Sequence, residues 1–77
     1  MNPQVPNLKP REVVAAFQKA GWSVHRQRGS HLIMRKAGSL NLLVIPMHDR
    51  DVPKGTLRGI ISDADLSVGE FIDLLGR

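Results

Sequence analysis

The hydrophobic pattern of the first part of the chain has the spacing of a helix. Apolar residues recur every three or four positions, which is typical of a helix with one buried face. These residues are Val13, Val14, Phe17 and Ala20. Pro10 suits a first helical turn, and Gly21 suits the left-handed position just past the last one. We predict a first helix over residues 10–20.

From Trp22 onward the pattern alternates, which is typical of half-buried strands. Residues 22–27 form the first predicted strand, residues 31–36 the second and residues 40–45 the third, which Pro46 closes. Glycine-bearing turns separate them. Three short strands joined by such turns predict an antiparallel meander.

The second half of the chain is helical again. A helix beginning at Pro53 has a buried stripe of Leu57, Ile60, Ile61 and Ala64. Ser67 and Glu70 have the spacing of a capping box, so a short helix should run to about residue 75. Its predicted buried side consists of Phe71, Leu74 and Leu75. We expect a tail over residues 1–8 and one domain over 9–77. Both long helices must cover the same sheet face, which predicts an α+β two-layer sandwich of order α-β-β-β-α with a short C-terminal helix.

The turn length predicts which strand residues share a face. If residues 28–30 form a three-residue loop, Gln27 pairs with His31 and Arg26 lies opposite Leu32. Paired residues in an antiparallel ladder point the same way. This register assigns to the core face Trp22, Val24, Leu32 and Met34. It assigns to the open face His25, Gln27, His31, Ile33 and Arg35.

The third strand is apolar on both sides. Leu40, Leu42 and Val44 point one way, and Leu43 and Ile45 point the other. One set must face outward beside Ile33. An apolar patch on an otherwise polar sheet is typical of a protein contact, so we expect a partner there, either a second copy of the chain or another protein.

The net charge and the length of the chain limit the classes of function that the protein can have. The 77 residues include 11 Lys and Arg against 7 Asp and Glu, a formal net charge of +4. Such an excess makes a polyanion the first partner to consider. The length excludes multidomain enzymes and most cofactor-binding folds. The sequence has no cysteine, which excludes disulfides, thiol catalysis and cysteine-bound zinc.

The sequence also predicts where the protein acts. Its longest apolar run, residues 42–45, is far shorter than the roughly 20 residues that cross a bilayer. The first six residues lack the pattern of a signal peptide. We expect a cytoplasmic protein without membrane contact.

His31 is the main candidate for chemistry. It follows Gly29 and Ser30 at a turn, and imidazole exchanges protons near neutral pH. RNA carries its own nucleophile, the 2′-hydroxyl, so cleavage needs a base, an acid and cations for the phosphorane charge. Cations lie nearby in the sequence: Arg26, Arg28, Arg35 and Lys36. From spacing alone, an ordinary surface histidine and a solvated basic strand are the commoner interpretations.

The other histidines carry weaker signals. His25 either shares the site of His31 or is a solvated strand residue, and the second interpretation is favoured. His48 either approaches the same end of the sheet as His31 or pairs with Asp49 in its loop. A metal site would need three converging ligands, and the spacing of the three histidines favours none. We expect no metal and no cofactor.

Lys54, Gly55 and Thr56 at the start of the second helix offer a cation, free N–H groups and a hydroxyl, as a phosphate cradle does. Ordinary helix initiation after Pro53 explains the same residues. Trp22 is expected in the core rather than as a platform for a base.

Four segments together resemble the HicA (YcfA-like) family of toxin ribonucleases from bacterial toxin–antitoxin pairs. They are Ala20-Gly21-Trp22, Arg26-Gln27-Arg28-Gly29-Ser30-His31, Ile45-Pro46-Met47-His48 and Lys54-Gly55-Thr56-Leu57-Arg58-Gly59-Ile60. The resemblance covers about residues 9–75. Two positions depart from the family pattern: Leu32 follows His31, and Asp65 stands where glycine is common, which predicts a left-handed Asp65.

The resemblance implies a fold like that of double-stranded-RNA-binding domains and metal-independent cleavage of mRNA, with His31 as the single catalytic histidine. It implies a HicB-type antitoxin that covers the active face. The RNA-binding residues then expected are Arg26, Arg28, Ser30, Arg35, Lys36, Lys54 and Thr56, with His48 as an auxiliary group. The alternatives are a non-catalytic RNA-binding module of the same fold and a protein-interaction domain with incidental charge.

Overall fold

A computed structural model of the protein describes residues 4–76. Its elements, in chain order, are α1 Pro10–Lys19, β1 Ser23–Arg28, β2 His31–Arg35, β3 Leu43–Pro46, α2 Lys54–Asp63 and α3 Val68–Leu74. The three strands form one antiparallel sheet in the order β1-β2-β3. The predicted α+β fold is confirmed. No helix in residues 4–76 has the length and apolar character needed to cross a membrane.

The ends of the two long helices follow the sequence signals. After α1, Gly21 is left-handed with φ +96°, and Trp22 N–H donates to the Phe17 carbonyl. After α2, Asp65 is left-handed with φ +60°, and Leu66 N–H donates to the Ile61 carbonyl. Both ends are Schellman motifs. The left-handed conformation predicted for Asp65 is confirmed.

The core lies between the helices and one face of the sheet. Strand residues at alternate positions are buried there: Leu32, Met34, Leu43 and Ile45. The helices contribute Val13, Ala16, Phe17, Leu57, Ile60, Ile61 and Phe71, and Ala64 just after α2 is buried with them. The rings of Phe17 and Phe71 lie 5.1 Å apart between centroids, joining α1 to α3. Trp22 is also buried, as predicted.

The segment before α1 belongs to this core, which corrects the prediction of a tail over residues 1–8. Residues 4–9 form no regular element, but Val5 and Leu8 are fully buried. The Leu8 carbonyl accepts a hydrogen bond of 2.9 Å from the N–H of Val52. Two prolines obscured this packing because they interrupt any period. The first three predicted tail residues, and residue 77 of the predicted domain, lie outside the described residues.

Strand β3 is shorter than predicted and is displaced along the chain. It begins at Leu43 and includes Pro46. Residues 40–42 lie outside the strand, and Asn41 N–H donates to the Ser39 hydroxyl. The Asn41 side-chain amide donates to the Asp63 carbonyl at 3.0 Å, so this residue is tied to the end of α2 rather than to β2.

Near the turn, the observed pairing of β1 with β2 is shifted by one residue from the predicted pairing. Arg28 pairs with His31, so the turn has two residues rather than three. A β-bulge at His25 absorbs the difference, and beyond it Val24 pairs with Met34 as predicted. The bulge supplies one extra residue on β1, which restores the pairing that the core requires.

Val24 is 47% exposed although it pairs with buried Met34, which corrects its assignment to the core. Every residue of β1 is exposed. The reason is the position of the helices: α1 and α2 pack against β3, at the opposite edge of the sheet, and leave β1 uncovered.

Candidate active site

His31 is the first residue of the central strand, and its side chain is exposed. The two-residue turn before it contains Gly29 with φ +57°, a conformation that favours glycine. Across the ladder His31 faces Arg28 on β1 and Pro46 on β3. Because the central strand pairs on both sides, a firmly held backbone presents the imidazole to solvent.

The bulge determines which β1 side chains share the face of His31. Arg28 pairs with His31 and Arg26 pairs with Ile33, so both arginines lie on the open face. The sequence-based register had placed Arg26 on the core face and Gln27 beside His31. In the structure Gln27 pairs with Leu32 and lies on the helix side. The observed register therefore places two arginines on the same face of the sheet as the candidate histidine.

Arg35 and Lys36 lie at the far end of the sheet from His31. Arg35 is four positions after His31 along β2, about 13 Å away at strand spacing. Arg35 pairs with Ser23. The side chain of Lys36 passes close to Gly21. A Cβ atom on residue 21 would lie 3.3 Å from Cε of Lys36. These two cations are exposed but are not part of the immediate surroundings of His31.

The loop that carries His48 is tied to the same end of the sheet as His31. Met47 N–H donates to the Ser30 carbonyl at 2.6 Å. On its other side the loop is held by Lys9, whose ammonium donates to the Asp49 carbonyl at 2.9 Å and lies 3.4 Å from Oδ1 of Asp51. Lys9 was missed by the sequence analysis, since a single lysine before a helix carries no pattern.

His48 lines a shallow cleft of about 230 Å³ between its loop and the start of α1. The residues around the cleft are Lys9, Pro10, Arg11, Met47, His48 and Asp49. No ion pair joins His48 to Asp49 in the part of the chain that the structure describes. His25 is exposed in the bulge. Within residues 4–76 no three His, Asp or Glu side chains are grouped to hold a metal ion.

Lys54 and Thr56 are exposed in the first turn of α2. Pro53 is the N-cap residue, and no side chain caps this end. Its first N–H groups are therefore open to an acceptor. Across residues 4–76 no side-chain hydrogen bond or ion pair connects Lys54 or Thr56 to β2, so this turn stands as a separate cationic position.

Of the two apolar sets on and before β3, the set of Leu40, Leu42 and Val44 faces outward. Leu42 is 52% and Val44 is 47% exposed, and Leu40 is fully exposed. Val44 pairs with half-buried Ile33, so the two form an apolar strip on the open face, beside the arginines. The exposed apolar patch predicted from the sequence is confirmed.

The family model described as HicA toxin of bacterial toxin–antitoxin systems matches residues 10–66. The chain belongs to the HicA toxin family. The match spans His31, both arginines of the open face, the His48 loop and the first turn of α2. None of the curated proteins matches the chain.

Membership of the HicA family makes this protein the toxin of a toxin–antitoxin pair and implies an antitoxin partner. The HicA match begins at residue 10 and ends at residue 66. Val5, Leu8 and Phe71, all fully buried, lie outside it. The hydrophobic core of this chain therefore includes residues on both sides of the matched segment.

Proposed function

We propose that this toxin is a metal-independent endoribonuclease that cleaves mRNA, with His31 as the catalytic histidine. The observation that supports it is the exposed imidazole of His31 beside Arg28, with Arg26 on the same face. In this reaction His31 exchanges protons with the 2′-hydroxyl or the leaving oxygen, and the 2′-oxygen attacks phosphorus. An mRNA substrate implies action in the cytoplasm.

The arginines of the open face supply the charge that this chemistry needs. Arg28 lies opposite His31 and would contact the phosphate that is cleaved, where negative charge develops in the transition state. Arg26 is two residues further along β1. A guanidinium fork matches phosphate geometry and stays charged at any physiological pH. Ser30 adds a hydroxyl at the turn.

The remaining cations would bind phosphates away from the cleaved one. Arg35 and Lys36 lie at the far end of β2, about 13 Å from His31. Lys54 and Thr56 lie at the open first turn of α2, where free N–H groups and the helix dipole favour an anion. Two separated cationic positions suit an extended strand of RNA rather than a single small phosphate.

A HicB-type antitoxin would dock on the apolar strip formed by Ile33 and Val44. The strip lies on the open face next to Arg26, so a protein bound there also covers the approach to His31. Inhibition then follows from occlusion. A second copy of the chain is the alternative occupant, and the sedimentation of the purified toxin alone and with antitoxin separates the two.

The test is cleavage of an end-labelled mRNA by the purified protein in the presence of EDTA. We expect fragments that end in a 2′,3′-cyclic phosphate or its hydrolysis product. His31→Ala should abolish cleavage but retain RNA binding that weakens with salt. His25→Ala, at an exposed histidine in the bulge, is the matched control.

Two results would overturn the proposal. If the wild-type protein binds RNA but never cleaves it, the chain is a non-catalytic RNA-binding module. If His31→Ala cleaves as fast as the wild type, the histidine has been assigned wrongly. An absence of any salt-dependent RNA affinity would instead indicate a domain that binds only protein.

A further inference from the structure

The backbone places His48 close to His31. Pro46 is the direct ladder partner of His31, and His48 follows two residues later. Paired Cα atoms lie about 5 Å apart and two residues span at most about 7 Å, so the two histidine Cα atoms are at most about 12 Å apart. His31 and His48 therefore lie at the same end of the sheet.

Three contacts hold the His48 loop in this position. The residue before His48 donates its N–H to the carbonyl of Ser30, which immediately precedes His31. The residue after it accepts a hydrogen bond from the Lys9 ammonium at its carbonyl. Val52 N–H closes the loop onto the Leu8 carbonyl. These contacts fix the backbone on both sides of His48.

We propose that His48 is the general acid of the cleavage reaction, an inference that rests on the proposed ribonuclease function. His31 takes the proton of the 2′-hydroxyl, and the 2′-oxygen forms a bond to phosphorus. The bond from phosphorus to the 5′-oxygen breaks, and His48 donates its proton to that oxygen. The products are a 2′,3′-cyclic phosphate and a 5′-hydroxyl, and water restores both protonation states.

The surroundings of His48 suit the departing strand. The charged groups that line its cleft are Lys9 and Arg11 from the start of α1 and Asp49 from its own loop. Asp51 neutralises part of the charge of Lys9. Arg11 is exposed and carries no ion pair within the described residues, which leaves it available to the next phosphate of the leaving fragment. The cleft thus contains a cation as well as the histidine.

The test compares two RNA oligonucleotides that contain a cleavage site mapped with the wild-type toxin. One carries the natural 5′-oxygen at the cleaved bond, and the other carries a bridging 5′-sulfur, which departs without a proton. His48→Ala should slow cleavage of the oxygen substrate at least about a hundredfold. It should cleave the sulfur substrate within a few-fold of the wild-type rate. His48→Gln should behave in the same way, with a thermal midpoint like that of the wild type.

Control variants distinguish this role from others. His31→Ala should be slow on both substrates, and His25→Ala should match the wild type on both. Equal slowing of the oxygen and sulfur substrates by His48→Ala overturns the general-acid role, as does full activity on the oxygen substrate. In either case His31-dependent cleavage would still support the proposed function. If the wild type cleaves no RNA, the proposed function and this inference both fail.

Discussion

Arg28 and His31 lie directly opposite each other across the β1–β2 ladder, on either side of a two-residue turn. Their side chains therefore point to the same face of the sheet. The pairing depends on the extra residue at His25, because a regular ladder from Val24 would bring Gln27 to this place instead. One irregular residue in the edge strand decides whether the candidate histidine has a cation or an amide beside it.

Exchanging Arg26 and Gln27 tests this arrangement without changing composition. The double variant Arg26→Gln with Gln27→Arg moves one guanidinium from the open face to the helix face. We expect weaker RNA binding. We also expect the slope of log binding constant against log salt concentration to become less negative by about one, which corresponds to the loss of one phosphate contact. Nitrocellulose filter binding at several salt concentrations measures both. The control exchanges two exposed residues of α1, Gln18→Lys with Lys19→Gln, and should leave both quantities unchanged. Unchanged RNA binding in both double variants would show that the face on which this guanidinium lies does not matter.

Val44 should contribute to antitoxin binding and Val24 should not. Both valines are 47% exposed, but they lie on opposite edges and opposite faces of the sheet. Val44→Asn should weaken the complex about tenfold or more, equivalent to about 1.4 kcal/mol, because it inserts an amide into an apolar contact. Calorimetric titration with the antitoxin measures the change. Val24→Asn is the matched control, and a comparable loss with that variant would contradict the proposed docking face.

Leu8 should stabilise the fold although it precedes both α1 and the family match. Its side chain is fully buried. Leu8→Ala should lower the free energy of unfolding by about 2–5 kcal/mol, through lost burial and the cavity left behind. Urea denaturation measures the change, and Asn7→Ala, at an exposed neighbour, should stay within about 0.5 kcal/mol of the wild type. Equal stability of Leu8→Ala and the wild type would mean that this segment does not pack in solution.

Glu70 gives the stability of α3 a defined dependence on pH. The backbone N–H of Ser67, and next its hydroxyl, hydrogen-bond to the carboxylate and hold the pKa of Glu70 below its ordinary value of 4.5. The folded state therefore gains stability from this group above pH 4.5, and the gain is lost as the pH falls through the lower folded-state pKa.

Thermal midpoints measured from neutral pH down to about pH 3 test this dependence. Glu70→Gln keeps an acceptor for the Ser67 N–H but has no charge to lose. It should lose less stability on acidification than the wild type. Parallel acid curves for the two proteins would contradict the assignment.

The sequence predicted the elements with a strong local signal. Helical spacing around Phe17, the glycine at position 21 and the capping box at Ser67 each involve contacts within a few residues. Such contacts depend on short-range geometry alone, so a pattern in the sequence is enough. The left-handed Asp65 was predicted from the family resemblance instead, since glycine is common at that position, and its φ of +60° agrees.

The errors concern features that depend on distant contacts. The bulge at His25 is needed because the two-residue turn sets one register near Arg28 and the core pairing of Val24 with Met34 sets another. The sequence of β1 alone shows neither requirement. The burial of Val5 depends on a cavity that other elements create, and the exposure of Val24 depends on where the helices lie. The candidate site inherits this limit: His31 was evident from its motif, but its cationic neighbour and the Lys9 contacts to the His48 loop required three-dimensional information.

The uncovered strip of Ile33 and Val44 has a consequence for handling the isolated protein. Each molecule exposes an apolar patch on the open face of its sheet, which favours self-association, and the net charge of +4 opposes it by mutual repulsion. At 0.1 M salt that repulsion is screened within about 10 Å. The stored toxin should therefore stay monodisperse at low salt concentration and precipitate at high salt concentration.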